Sequence, residues 1–198
     1  MTAAAAQDRV PSARAALDAH VREIVAHDFS PETGAPVWLE YAQQAGWDPR
    51  EEIRSFDDLI ERFDNFDGER LRTDPHEHWI PRAFADRPFT IFETGGSTGM
   101  PKQRIGWDDY KHDYEEFSAT LDENAFPRGG YWLMVGPTGP RRLRLAIEHL
   151  ANFRGASCYF IDLVPRWVKK LISSGQGDQA KAYMENVYEQ AIRLLKHR

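Results

Sequence analysis

The sequence holds a single cysteine, Cys158, in 198 residues. That scarcity excludes a disulfide framework and any cysteine-based zinc site, and points to a reducing, cytoplasmic compartment. No long apolar run is present, so no membrane span is expected. The opening "MTAAAAQ" lacks the basic start and apolar stretch of a secretory signal. Zinc-finger spacing and aromatic RNA-binding signatures are also missing, so nucleic acid is not an expected partner.

What is present suits a folded chain of mixed architecture. Apolar residues make up 41% and aromatics 12%, enough for a packed core. The net charge of -6 is uneven: 14 basic against 26 acidic residues up to Pro140, and 11 against 5 from Arg141 onward. A basic C-terminal third suits contact with the acidic part or with a phosphorylated ligand.

Residues 1–80 read as a helical N-terminal segment. In "VPSARAALDAHVREIVAHDF", Ala16, Val21, Ile24, Val25 and Phe29 recur at helical spacing. "PVWLEYAQQAG" is a second helix stopped by Gly46, and "SFDDLIERF" opens with Ser55 and Asp58 as a capping box. The polar stretch "DNFDGERLRTDPHEHWIP" reads as a linker, with His76 and His78 in a solvated loop rather than a metal site.

Residues 81–198 read as α/β. "PFTIFE" and "KQRIGW" are strands flanking a glycine-rich loop, and Asp108 is placed to cap the helix that follows. "YWLMV", expected to be buried, and "ASCYFIDLV" are further strands. "RRLRLAIEHLANF" and "PRWVKKLISS" are helices, so parallel strands with crossovers are expected. The last helix starts near Asp178 and carries Ala182, Val187, Ala191, Leu194 and Leu195 on or near one face. Such a helix normally leads to another strand, but it can equally close a domain. Trp132, Tyr159 and Trp167 are expected in the core.

The loop "FETGGSTGMPKQR", Phe92 to Arg104, is the candidate site. Gly95, Gly96 and Gly99 can adopt backbone angles closed to other residues and turn N–H groups toward an anion. Thr94, Ser97 and Thr98 add hydroxyls, and Lys102 a mobile positive charge. A surface turn that binds nothing is the plain alternative. The loop is neither G-x-x-x-x-G-K-[ST] nor G-x-G-x-x-G, because Met100 and Pro101 separate Gly99 from Lys102 and no Ser or Thr follows.

"TGGSTGMPK", Thr94 to Lys102, closely resembles the phosphate-binding loop of the adenylate-forming superfamily, which includes acyl-CoA synthetases, luciferases and peptide-synthetase adenylation domains. Thr98, Gly99, Pro101 and Lys102 match the T-G-x-P-K ending, and Thr94 to Ser97 match the looser leading half. "FSPETGAPVWLEYAQQAGWDP", "SFDDL" and "IDLVPRWVKKLI" look like the phenylacetate-CoA ligase branch and its acyl-protein synthetase relatives. The resemblance implies part of an adenylate-forming N-terminal domain. It also implies ATP and Mg2+ as cofactors, phosphates held by Thr94, Gly95, Gly96, Ser97, Thr98, Gly99 and Lys102, and Lys102 in a catalytic role.

The chain departs from the superfamily in lacking the aromatic-Gly-x-Thr-Glu stretch, the ribose-binding aspartate and the C-terminal catalytic lysine. Arg141 stands after Pro140 where relatives often carry a histidine. The expectation is the N-terminal portion of a ligase that activates an aryl or fatty carboxylic acid, completed by a C-terminal part or partner subunit and inactive as this chain alone. The alternatives are a non-catalytic module that binds a nucleotide or a partner, and a structural protein whose loop binds nothing.

Overall fold

A computed structural model describes residues 9–63, 66–96, 99–139 and 142–197. The chain divides into two units, Met1–Arg87 and Pro88–Arg198. The architecture is mixed α/β with small sheets.

In the first unit, α1 (Arg9–Asp28) is followed by α2 (Pro36–Ala45), α3 (Pro49–Glu52), α4 (Phe56–Arg62) and α5 (Arg70–Thr73). Two 3-10 turns, His76–Trp79 and Arg82–Phe84, come after them. The 3.6-residue repeat puts Val21, Val25 and Phe29 in a core with Ile53, covered by Trp38, Tyr41, Leu59 and Phe63. Ala16 and Ile24, expected on the same stripe, are exposed: the helical repeat puts Ala16 on the far side from Val21 and Val25, and Ile24 beside their stripe. Between α1 and α2 the chain reverses at Gly34, where an added Cβ would lie 2.0 Å from the Asp28 carbonyl oxygen. Glycine is therefore required there by close approach.

The capping box of α4 forms with a shifted partner. The Ser55 hydroxyl accepts from the Asp58 amide at 3.2 Å, while the Asp58 carboxylate accepts from the Arg54 amide at 2.9 Å. The Asp58 carboxylate thus reaches the amide of the residue before the cap. The Arg54 amide, with the Ser55 hydroxyl adding to it, holds the Asp58 carboxyl below its usual value. The stretch expected as a linker is part of this unit. His78 Nε2 meets Glu40 Oε1 at 2.7 Å and its Nδ1 meets Asp74 Oδ2 at 3.4 Å, so it belongs to an ordered turn rather than a solvated loop.

The second unit begins with an antiparallel hairpin, β1 (Thr90–Glu93) and β2 (Gln103–Gly106), in register from Thr90↔Gly106 to Glu93↔Gln103. Next come α6 (Asp109–Ser118), β3 (Tyr131–Gly136), α7 (Arg142–Phe153), β4 (Ser157–Asp162), α8 (Pro165–Ser173) and α9 (Gly177–Lys196). The expected parallel pairing and crossover hold for β3 and β4, joined through α7 and paired from Tyr131↔Ser157 to Gly136↔Asp162. The hairpin stays a separate two-stranded sheet among the described residues.

Several side chains depart from their expected places. β3 is not buried throughout: Tyr131 is 62% and Val135 40% exposed. Trp167 is also exposed, with the Lys170 ammonium over its ring, whereas Trp132 and Tyr159 are half-buried. Asp108 makes no side-chain cap to α6; it pairs with Lys111 at 2.8 Å instead. On α9, Ala180 and Val187 are buried but Ala182 and Leu195 are exposed, because the burying face is narrower than the apolar stripe. Among the described residues no helix is long and apolar enough to cross a membrane.

One core cluster of this unit joins Phe92, Tyr110 and Ala146, and Met134, Leu150, Ile161 and Leu171 are buried as well. Arg154, at the end of the crossover, is fully buried. Its guanidinium donates to the Ser118 carbonyl and hydroxyl, both at 2.9 Å, and to the Phe126 carbonyl, and it pairs with Glu123 at 3.0 Å. One arginine thus ties the end of α6 and the following loop to the end of α7.

Arg154→Met strands those acceptors and is expected to lower stability by about 2–4 kcal/mol in urea unfolding; a loss below about 1 kcal/mol would contradict the role. For the first unit, the lowered Asp58 pKa contributes stability above its unfolded value of 3.8 that is lost as pH falls through the lower folded value. Asp58→Asn should therefore lower stability at pH 7 and leave a shallower further loss below about pH 4, read by tryptophan fluorescence in denaturant titrations at pH 7, 4 and 3.

Candidate functional site

The glycine loop is the connection of the β1–β2 hairpin, as its flanking strands imply. Its neck is closed by two hydrogen bonds beyond the last ladder pair: the Thr94 amide donates to the Lys102 carbonyl at 3.0 Å, and the Lys102 amide to the Thr94 hydroxyl at 2.9 Å. Thr94 and Lys102, the first and last of the candidate residues, are thereby held together. Ser97 and Thr98 lie outside the described residues, as do Pro140 and Arg141 of the "GPTGPRR" turn.

Gly96 and Gly99 have φ of 64° and 138°, in the region that favours glycine. A Cβ on Gly96 would also approach the Gly99 carbonyl oxygen and Pro101 Cγ, each at 3.2 Å. Gly95 is different: its φ is not positive, and an added Cβ would meet nothing within 4 Å. The expectation that all three glycines serve unusual backbone angles is corrected at this position.

The residue that sequence reasoning missed is Arg166, at the start of α8. Its Nη2 donates to the Thr94 carbonyl at 2.6 Å and to Glu93 Oε2 at 3.0 Å, and its Nε donates to the Gly95 carbonyl at 3.3 Å. In a planar trans peptide the N–H points opposite to the C=O. Holding the carbonyls of Thr94 and Gly95 therefore aims the amides of Gly95 and Gly96 away from Arg166, two successive N–H groups presented by the loop in the manner of an anion-binding nest. The available signal was "VPRW", whose proline opens a helix directly after a parallel strand and so brings the next residue to the carboxyl edge.

That edge also carries a cavity of about 150 Å³, bounded by Glu93, Pro137, Gly139, Asp162, Pro165 and Arg166. Glu93 is tied to Gln103 at 3.1 Å as well as to Arg166, and Asp162 Oδ1 accepts from the Thr138 amide at 3.1 Å. Tyr183 of α9 steadies the turn after β4, its hydroxyl accepting from the Val164 amide at 3.0 Å. The cavity lies outside the carboxyl ends of a parallel strand pair, where ligands bind in open α/β sheets.

The remaining candidates are occupied elsewhere. Arg142, at the start of α7, bonds Asp109 at 2.8 Å and Asp113 at 2.5 Å. Trp132 lines a second cavity with Phe126 and Gly130 at the amino end of β3. Burial pushes the Cys158 thiol up, which makes it a poor nucleophile near neutral pH. Among the described residues no group of three or more His, Cys, Asp or Glu is arranged to hold a metal ion.

Comparison with protein-family models finds no matching family, and comparison with curated proteins finds no significant match.

Arg166→Met should leave the Thr94 and Gly95 carbonyls unheld and speed deuterium uptake across 94–102 by about tenfold, the equivalent of about 1.4 kcal/mol. Uptake in the first unit should be unchanged. Equal uptake in variant and parent would show that the hairpin alone positions the loop.

Proposed function

We propose that the second unit is the nucleotide-phosphate-binding part of an ATP-dependent, carboxylate-activating ligase that forms acyl-adenylates, similar to the N-terminal portion of phenylacetate-CoA ligases. The observation that carries this reading is the loop held by Arg166: its Gly95 and Gly96 amides aim together away from that residue, in a segment that ends in Lys102. Backbone N–H groups and one ammonium are the donors a polyphosphate needs.

The residues present fit ATP in part. Lys102 and the loop amides would bind and orient phosphate oxygens, and the glycines let the backbone approach closely. Magnesium is commonly held by one or two carboxylates together with the phosphates, so the absence of a dedicated cage among the described residues is compatible with its use. Bound magnesium would supply charge to offset the leaving pyrophosphate. Arg166 neutralises Glu93 beside the loop and keeps that carboxylate from repelling an anion.

Adenylate formation also requires groups that hold adenine and ribose and a second positive charge on the reacting phosphate. No motif of this chain matches those family features, so the proposal has the chain binding nucleotide weakly and turning over nothing by itself. A second reading, a non-catalytic module that lends its surface to a partner, draws support from exposed Tyr188, Ile192 and Leu195 on α9.

Calorimetry with ATP and Mg2+ should give weak saturable binding that Lys102→Ala reduces about tenfold. Neither protein should catalyse carboxylate-dependent ATP–pyrophosphate exchange. Unchanged ATP binding in Lys102→Ala would remove the phosphate role, and robust exchange by the chain would overturn the view that it is incomplete for catalysis.

A further inference from the structure

The first unit contains a cavity of about 470 Å³ that the phosphate site does not use. Its size falls within the range of small-molecule pockets, roughly 300–1,000 Å³. Five rings line it: Phe29, Trp38, Tyr41, Phe63 and Phe66. They brace one another, with Tyr41 stacked on Phe63 at 5.1 Å between centroids and Trp38 packed on both Phe29 and Phe66. Their positions are thus set by their neighbours before any ligand arrives.

We propose that this cavity binds a hydrophobic organic cation, an amine or quaternary ammonium group carried on an apolar body. The charges around it decide the sign. Three charged residues line it, Asp28, Asp67 and Arg70. The Arg70 guanidinium is engaged by Asp74 at 2.7 Å, approaches Glu40 at 3.8 Å, and lies over the Trp79 ring. Its positive charge is therefore already balanced.

The two carboxylates have more modest partners. Asp28 Oδ1 meets His27 Nδ1 at 2.9 Å, and Asp67 Oδ1 accepts the Glu69 amide at 2.9 Å. A carboxylate offers about four lone-pair sites, so each keeps capacity for a further donor. Ring faces carry negative charge density and attract cations, most strongly where water is displaced. The rings and two carboxylates that meet no arginine or lysine among the described residues thus favour the same ligand and disfavour an organic anion. The proposal is independent of ATP binding by the second unit.

The test is calorimetric titration of the full chain with 4-phenylbutylammonium and, separately, with 4-phenylbutyrate. The ammonium compound should bind at one saturable site and the carboxylate at least tenfold more weakly. Asp28→Asn combined with Asp67→Asn keeps side-chain size and an acceptor oxygen at each position. It should preserve the thermal unfolding transition while weakening the ammonium compound about tenfold. Leu59→Trp, which fills the cavity, should abolish the binding heat, whereas Lys102→Ala should leave it unchanged. Phenylbutyrate binding as tightly as the amine, an affinity unchanged in the double Asn variant, or no saturable amine binding would each overturn the proposal.

Discussion

The second unit depends on the parallel pairing of β3 and β4. Parallel strands cannot be joined by a tight turn, so their pairing demands a crossover long enough to return the chain, and α7 supplies it. The register from Tyr131↔Ser157 to Gly136↔Asp162 brings both carboxyl ends level. The segments that follow, Pro137–Gly139 and Leu163–Arg166, therefore emerge side by side and bound one cavity. Arg154 secures the other end of the crossover through the Ser118 and Phe126 carbonyls. Burying a guanidinium is tolerable there because it meets carbonyl, hydroxyl and carboxylate oxygens.

Arg166 turns that topology into a candidate site. It stands where α8 leaves the carboxyl edge and reaches the neck of a hairpin formed seventy residues earlier in the chain. Its hydrogen bonds to the loop are to the Thr94 and Gly95 carbonyls, so it acts there by orienting peptide planes rather than by offering its own charge outward. Glu93 shares the same guanidinium and Asp162 nearby adds a second carboxylate, so these three groups leave no net positive charge at the edge. On the proposed reading, that lack of positive charge is the physical ground for weak affinity toward a polyphosphate unless further positive groups join the site.

The two units use different chemistry. The first is built around aromatic packing, with Phe29, Trp38, Tyr41 and Phe63 in mutual ring contact and charged groups at the cavity margin. The second buries mostly aliphatic side chains, among them Met134, Leu150, Ile161, Leu171 and Val187, and devotes two loop glycines and an arginine to shaping backbone. The surroundings of the cavity in the first unit were not legible beforehand, because "DNFDGERLRTDPHEHWIP" has the composition of a linker. Arg70, Asp74 and His78 pair locally at i,i+4 spacing, but Phe66 meets Trp38 and His78 meets Glu40 only when the stretch packs on α2.

By itself the sequence determined the local elements: the helix stop at Gly46, the Ser55 cap, the hairpin around the glycine loop, and the strand, helix, strand order that pairs β3 with β4. These follow from side-chain period, caps and backbone freedom, all short-range properties. The residue pattern of the loop likewise singled out this segment as the candidate site. Only the tertiary structure decided that Arg166 holds the loop, that Gly95 needs no unusual angle, that His78 sits between two carboxylates, and that Trp167 and Tyr131 face outward. Each of these depends on contacts between segments distant in the chain, which no local pattern encodes.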